Sequence, residues 1–323
     1  MEITFVNVGY GDAILLRNNG HAALIDGGSS LEEEYTTGPN RIRLFDYLKK
    51  NNIGKLDFVI LTHIHEDHVC GVADILRAIE VGMVYVPYLP SITGKEAISL
   101  VSEKMRNIVL YTRALNDFKE ILASSVEKRM IASGDCIEFQ GAVLRVLEPS
   151  RASLAAYSAK VEQVFCENSD AVLDKLIELD ELSNTYSLVI GIEYNGKGVL
   201  LAADNCPLNW RKETLLFAKN GNVLKLPHHG QADSIDETLI EYLAGGLIVT
   251  CSSSDKRNNS ANRSVYDRLS DSGKEFRFLF TDEVSYTPYF AVDAGFQAIL
   301  LGLDDREISV RFDWSKTEQG DDV

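Results

Sequence analysis

The sequence predicts an α/β (α+β) chain of two mixed sheets with helices on their outer faces, and three observations carry that reading. Short, β-rich apolar runs fall into two sets, one at the N-terminal end and one from residue 136 onward. Helix-like patterns are interleaved with the second set. A dense group of imidazoles and carboxylates begins where a fully apolar run stops.

The first set comprises residues 3–8, 13–17 and 22–26, and Asn18-Asn19-Gly20 is a hairpin signal between the last two, so the chain opens as a meander. A helix-like stretch over 41–51 leads to residues 57–62, whose continuous apolar character suits a strand buried on both faces. The second set covers 136–139, 142–147, 187–194, 199–203, 223–227 and 247–250, with helical patterns near 210–218 and 235–243. Two mostly polar, helix-prone segments, about 95–130 and 151–182, show no strand alternation and read as insertions. The expected organisation is one domain, 1–323, carrying these two insertions, with the acidic end 319–323 as a frayed tail.

At 323 residues and 45% hydrophobic, the chain can bury a sizeable core. Its 32 Lys+Arg against 48 Asp+Glu give a formal charge of -16, which excludes a general nucleic-acid coating protein but leaves room for a nuclease with a locally positive cleft. Five scattered cysteines without a C-x-x-C pair exclude a disulfide framework and a cysteine-built zinc site, and are expected as buried free thiols. Residues 2–8 lack the character of a secretory leader and no run approaches a membrane span, so a cytoplasmic chain without a membrane partner is expected.

The strongest chemical signal is Thr62-His63-Ile64-His65-Glu66-Asp67-His68, four potential ligands within six residues directly after a buried strand. Imidazole and carboxylate suit zinc and other divalent transition metals. His63 and His65 alternate and can point one way from an extended loop, while Asp67 and His68 turn toward a second ion. The competing reading, a polar helix-capping loop, does not explain the clustering: three of six histidines lie in this loop, and two more are adjacent at 228 and 229.

These residues, with VGYGDA at 8–13, ALIDGG at 23–28, NTYSLV at 184–189, LLAAD at 200–204 and LPHHG at 226–230, resemble the metallo-β-lactamase-fold hydrolases. The resemblance is to the hydrolase domain of ComEC-type competence proteins and their soluble relatives in particular, and it covers most of the chain. It implies a four-layer αββα sandwich with ligands from loops at one edge of the sheets. It also implies two divalent ions, Zn or Mn: His63 and His65 on the first, Asp67 and His68 on the second, Asp204 bridging them and Asp26 bracing the ligand loop.

Asp204 has an independent argument, because it ends the apolar run 199–203, where an unpaired buried carboxylate is costly. A turn or helix-cap aspartate is the alternative. One of His228 and His229 should complete the second site and the other should line the pocket; the sequence leaves their order open. His21, on a hairpin strand, is expected to be structural or on the surface rather than a ligand. The superfamily's further histidine on the first ion is missing, for no histidine lies between His68 and His228; Asn184 stands near its place, and a neutral amide is a poor zinc ligand, so a weak or manganese-preferring first site is expected. The segment 258–263 also lacks the His-Pro pair often found after the last core strand.

Two ions sharing a bridging hydroxide suit phosphodiester hydrolysis, with Asp67 and Asp204 as the carboxylates on which catalysis depends and either a small molecule or a nucleic acid as substrate. A carbonyl-centre hydrolase of lactonase or thioesterase type, and a non-catalytic metal-binding protein with a degraded first site, are the alternatives. Candidate phosphate contacts are Arg106, Arg113, Lys128 and Arg129 from the insertions, and Lys225, Lys256, Arg257 and Arg263 nearer the motif loops; Asp26, Asn184 and Lys225 are expected either to support the ligands or to meet substrate.

Overall fold

The computed structural model describes residues 1–99, 105–166 and 169–314. Its strands begin with β1 (Glu2–Val6), β2 (Ile14–Asn18), β3 (His21–Ile25), β4 (Lys55–Leu56), β5 (Val59–Ile60), β6 (Glu80–Val81), β7 (Val84–Val86) and β8 (Lys128–Met130). They continue with β9 (Cys136–Phe139), β10 (Ala142–Glu148), β11 (Val189–Tyr194), β12 (Lys197–Leu201), β13 (Val223–Lys225) and β14 (Gly246–Thr250). The last are β15 (Phe276–Phe280), β16 (Ser285–Tyr286), β17 (Phe290–Ala291), β18 (Phe296–Leu303) and β19 (Ile308–Trp314). The helices are α1 (Glu32–Thr36), α2 (Leu44–Lys50), α3 (Glu66–Ala78), α4 (Arg106–Ala123), α5 (Arg151–Val164), α6 (Ser169–Ser183), α7 (Lys212–Asn220), α8 (Glu237–Tyr242) and α9 (Arg263–Asp271).

Two large mixed sheets result, ordered β19-β18-β1-β2-β3-β5-β7-β8 and β15-β14-β13-β12-β11-β10-β9, and helices flank them in the expected α/β arrangement. The Asn19-Gly20 turn takes positive φ at both residues (50° and 81°), the primed turn whose twist matches an antiparallel hairpin, and β2 and β3 pair across it. From β3 onward the first sheet is parallel through β5, β7 and β8, and the second is parallel from β12 to β15. Parallel strands end on one edge, which is where α/β sheets present functional loops. The candidate residues follow β5, β12 and β13.

The structure corrects several sequence expectations. Segment 95–130 is not wholly helical: after α4 it ends in β8, which adds to the edge of the first sheet beside β7. α9, β15, β18 and β19 lie beyond the last expected strand, and β18 returns to pair with β1, Glu2 opposite Gly302. A partner so distant in sequence leaves no local signal. Cys70 and Cys251 are buried as expected, but Cys136 and Cys166 are exposed, and all five thiols are free. Among the described residues no helix is long and apolar enough to cross a membrane. Residues 319–323, expected as a tail, lie outside the described residues.

One close approach fixes the helix that carries the ligand loop. Gly27 N donates to His68 O (2.8 Å) and Gly71 N donates to Gly28 O (2.9 Å), so α3 sits directly on the turn after β3. A Cβ at Gly71 would stand 2.0 Å from Gly27 O, a backbone atom that cannot swing aside. Gly71→Ala is therefore expected to cost about 1–3 kcal/mol or more through overpacking, read as a lower denaturation midpoint in urea. Unchanged stability would show that the turn yields freely.

Candidate metal centre

Each candidate side chain is placed by a strand end. β3 stops at Ile25, and Asp26 (φ 55°) turns its carboxylate across to the neighbouring strand end. There Asp26 Oδ1 accepts from Thr62 N (2.9 Å) and Oδ2 from Thr62 Oγ1 (2.6 Å), while His68 Nδ1 donates to Oδ2 (2.8 Å). Asp26 thus braces the loop 62–68. Asp67 lies in the first turn of α3, where a negative charge is favoured by the helix dipole. After β12, Ala203 adopts φ 44° and turns Asp204 toward the same edge. After β13, His228 and His229 both take left-handed backbone (φ 49° and 54°), which sends their side chains to different places.

Two groups of donor atoms converge. His63, His65 and Asp204 form one, with His63 Nε2 3.0 Å from His65 Nδ1 and 3.9 Å from Asp204 Oδ2. Asp67, His68, Asp204 and His229 form the other. In it, His229 Nε2 lies 3.0 Å from Asp67 Oδ2, 3.3 Å from Asp204 Oδ2 and 3.3 Å from His68 Nε2, and His68 Nε2 lies 3.4 Å from Asp204 Oδ1. Donors sharing one tetrahedral ion at about 2.0–2.2 Å stand roughly 3.4 Å apart, so both groups have the right spacing. Asp204 belongs to both. Asp204 Oδ1 and Asp67 Oδ2 are buried without a hydrogen-bond partner, which a cation would resolve. The donor set fits divalent metal.

The charges argue the same way. Burial disfavours the Asp67 and Asp204 carboxylates, but the imidazoles of His68 and His229 outweigh it, holding Asp67 at about 2 and Asp204 well below the usual carboxylate range. Burial also pulls His68 and His229 down, yet the surrounding carboxylates, Asp204 foremost, raise both well above an ordinary histidine. The cluster calls for positive charge. His63 differs: burial, then neighbouring His68 and His65, push it well below the ordinary value and leave a neutral ring. Outer ring nitrogens are anchored, His63 Nδ1 at 3.0 Å from Thr62 Oγ1 and His229 Nδ1 donating to Cys251 O at 2.7 Å, so each Nε2 faces the cluster.

The histidine pair is now separated. His229 joins the second group and is fully buried, whereas His228 Nδ1 faces Asp233 Oδ2 (3.0 Å) and its Nε2 meets Asn184 Nδ2 (3.2 Å) on the wall of the cleft. Asn184 therefore contacts His228 rather than joining either group. Lys225 is wholly buried; its Nζ lies 2.5 Å from Asp12 Oδ2, donates to Ala203 O (3.0 Å) and stands 4.0 Å from Asp204 Oδ1. It packs behind the site and is not among the residues lining the cleft, so of the two roles expected for it the geometry agrees with support and not with substrate contact. Burial lowers its pKa, but Asp12 and Asp204 more than reverse that.

The cleft over the cluster is about 800 Å³ and takes side chains from α4 and α6, among them Arg106 and Tyr111 on α4 and Asp180 and Glu181 on α6. Of the suggested phosphate contacts only Arg106 and Arg257 line it, paired with Glu33 and Glu34 respectively. Arg113 donates to Ser30 Oγ, Lys128 to Ser124 O, Lys256 lies 3.5 Å over the Tyr286 ring and Arg263 pairs with Asp267. Arg129, in β8, does not line the cleft either. His21 is exposed at the hairpin, where it pairs with Asp57, and belongs to neither donor group. Sequence reasoning missed Tyr10, whose ring packs 4.4 Å from that of His229 and whose hydroxyl burial pushes up to about 12, and Glu66, pushed up to about 7 by burial. Both sit inside motifs quoted for the family resemblance, the one signal that pointed to them.

Residues 6–103, which carry β2 to β7 and the histidine loop, match the family model described as Metallo-beta-lactamase superfamily. No curated protein matches the chain. Similar solved structures include the metallo-beta-lactamase fold protein YhfI from Bacillus subtilis, at 12% identity over 87% of this chain and 98% of that one, with a TM-score of 0.48. Igni18, a metallo hydrolase from the archaeon Ignicoccus hospitalis, is 13% identical over 94% of this chain and 100% of that one, with a TM-score of 0.48. Human tRNase Z, short form, is 12% identical over 87% and 92%, with a TM-score of 0.39.

Proposed function

We propose that the chain is a metal-dependent hydrolase of phosphodiesters, working at a two-ion centre of the competence-like type. The observation that carries this is the sharing of Asp204 between two donor groups at the base of one cleft. Divalent ions held there supply Lewis acidity toward the attacked group and make water acidic enough to act at neutral pH. His63, His65 and Asp204 would hold the first; Asp67, His68, His229 and Asp204 the second. Zinc and manganese both suit these mixed imidazole and carboxylate donors, and the first group, with three donors against four, is the weaker of the two.

The chain's own residues then bind and orient the substrate. Glu33, Glu66, Asp180 and Glu181 stand on the cleft wall, and the two arginines there are already paired with carboxylates. Such a wall repels a long polyanion and supports a small phosphodiester over a nucleic acid. His228, held at Nδ1 by Asp233 and at Nε2 by Asn184, presents its ring on the cleft wall, where it would line the substrate's path. Five unpaired thiols fit a reducing, cytoplasmic compartment.

The test is purification without chelator, elemental analysis, and turnover of bis-p-nitrophenyl phosphate beside a lactone and a thioester, with added Zn²⁺ or Mn²⁺. About two ions per chain and phosphodiester turnover are expected. Two ions with turnover of only the carbonyl substrates would move the reading to a lactonase or thioesterase, and metal well below one ion per chain would leave a non-catalytic protein. His229→Ala is expected to lose about one ion per chain. His228→Ala should keep both and raise KM; the reverse pattern would exchange their roles.

A further inference from the structure

Three of the four cluster imidazoles have an outer nitrogen tied to protein: His63 to Thr62, His68 to Asp26 and His229 to Cys251. His65 is the exception within its own loop. Its Nδ1 faces His63 Nε2 at 3.0 Å, so its remaining nitrogen, Nε2, points away from the first donor group. That Nε2 is buried and makes no well-aligned hydrogen bond, yet Asp180 Oδ1 lies 3.3 Å from it.

Asp180 comes from α6, the inserted helix. It lies one turn before Asn184, on the same face, and both line the cleft. The end of α6 is fastened to the ligand loop, because Ser183 Oγ donates to Ile64 O (2.9 Å), the residue beside His65. Tyr111 of α4 packs edge-on against the His65 ring at 5.8 Å, and Tyr111 and Tyr157 share a 2.7 Å hydroxyl contact from which Tyr157 donates to Leu179 O in α6. The two insertions thus close on one imidazole.

We propose that Asp180 is the positioning residue of the first metal site: its carboxylate accepts the Nε2–H proton of His65 and so presents the Nδ1 lone pair to the ion. This rests on the two-ion reading above. A carboxylate on the outer nitrogen fixes the tautomer, holds the ring and makes the ligating nitrogen more basic. The first group needs that help most, having three donors where the second has four. On this view the inserted helix supplies, through Asp180, the support that a third imidazole would otherwise give.

The experiment is titration of the metal-free full chain with Co²⁺ and Mn²⁺, by calorimetry and by cobalt absorption, for the wild type, Asp180→Ala, Asp180→Asn and Asp180→Glu. Asp180→Ala is expected to weaken one of two binding events about 10–100-fold and leave the other unchanged, with Asp180→Asn between and Asp180→Glu recovering most of the loss. In the cobalt-loaded wild type the Nε2–H of His65 should give an exchangeable, strongly shifted proton resonance that disappears in Asp180→Ala. Glu178→Ala, which removes an exposed partner of Lys160 on the same helix, should change neither reading. If Asp180→Ala binds both ions as the wild type does, or loses both alike together with a lower melting point of the metal-free chain, the assignment fails while the two-ion reading stands. Fewer than one ion per wild-type chain removes both.

Discussion

Asp204→Ala is expected to strip both ions from the chain at once and to lower phosphodiester turnover by about three orders of magnitude or more, the rate equivalent of roughly 4 kcal/mol of transition-state stabilisation. The reason is its double membership: Asp204 Oδ2 lies 3.9 Å from His63 Nε2 and 3.3 Å from His229 Nε2, while Oδ1 lies 3.4 Å from His68 Nε2. No other side chain belongs to both of these donor groups. Removing Asp67 should instead spare the first ion, because it faces only the second group. Elemental analysis of the two variants side by side reads this directly. Asp204→Asn adds a control, since it keeps the shape and the folded loop but gives up the charge. Retention of two ions and of turnover in Asp204→Ala would end the shared-ligand reading, whatever became of the fold.

The parts of this site that sequence reveals are those whose chemistry is local. His63, His65, Asp67 and His68 declare themselves because four ligands in six residues follow an apolar strand, and Asp204 because a carboxylate closes such a strand. Asp26 entered through the family resemblance, and the structure shows it bracing Thr62 and His68. The order of His228 and His229 was not legible, since it depends on two consecutive left-handed residues whose effect on side-chain direction has no pattern in composition or period. Asp180 was hidden for a different reason: on a helix read as a polar insertion, a carboxylate looks solvated until the helix is seen to dock. The same limit applies to the fold. Most strands up to residue 250 are legible from runs and turns, but β4, β6, β7 and β8 have two or three residues and are too short to alternate visibly, and β18 pairs with β1 across nearly the whole chain.

Lys225 lies behind the site rather than on its cleft, and it carries the second large effect. A lysine at the end of a strand beside a candidate metal centre invites reading as a phosphate contact, yet its side chain has no exposure and its charge is spent on Asp12 and on the carbonyl of Ala203. That carbonyl belongs to the left-handed residue that turns Asp204 into the cluster, so the ammonium fixes both a buried carboxylate and the backbone in front of it. Lys225→Met is therefore expected to cost about 3–5 kcal/mol in the metal-free chain, because removing one member of a buried pair strands the other charge. The double variant Asp12→Asn with Lys225→Met should lose less than the sum of the two single changes, with a coupling of about 0.5–3 kcal/mol. Urea unfolding of the four chains, without metal and again with it, measures both quantities. A single-variant cost below about 1 kcal/mol, or strict additivity, would mean that water reaches Asp12 and that the pair is not what holds Asp204 in place.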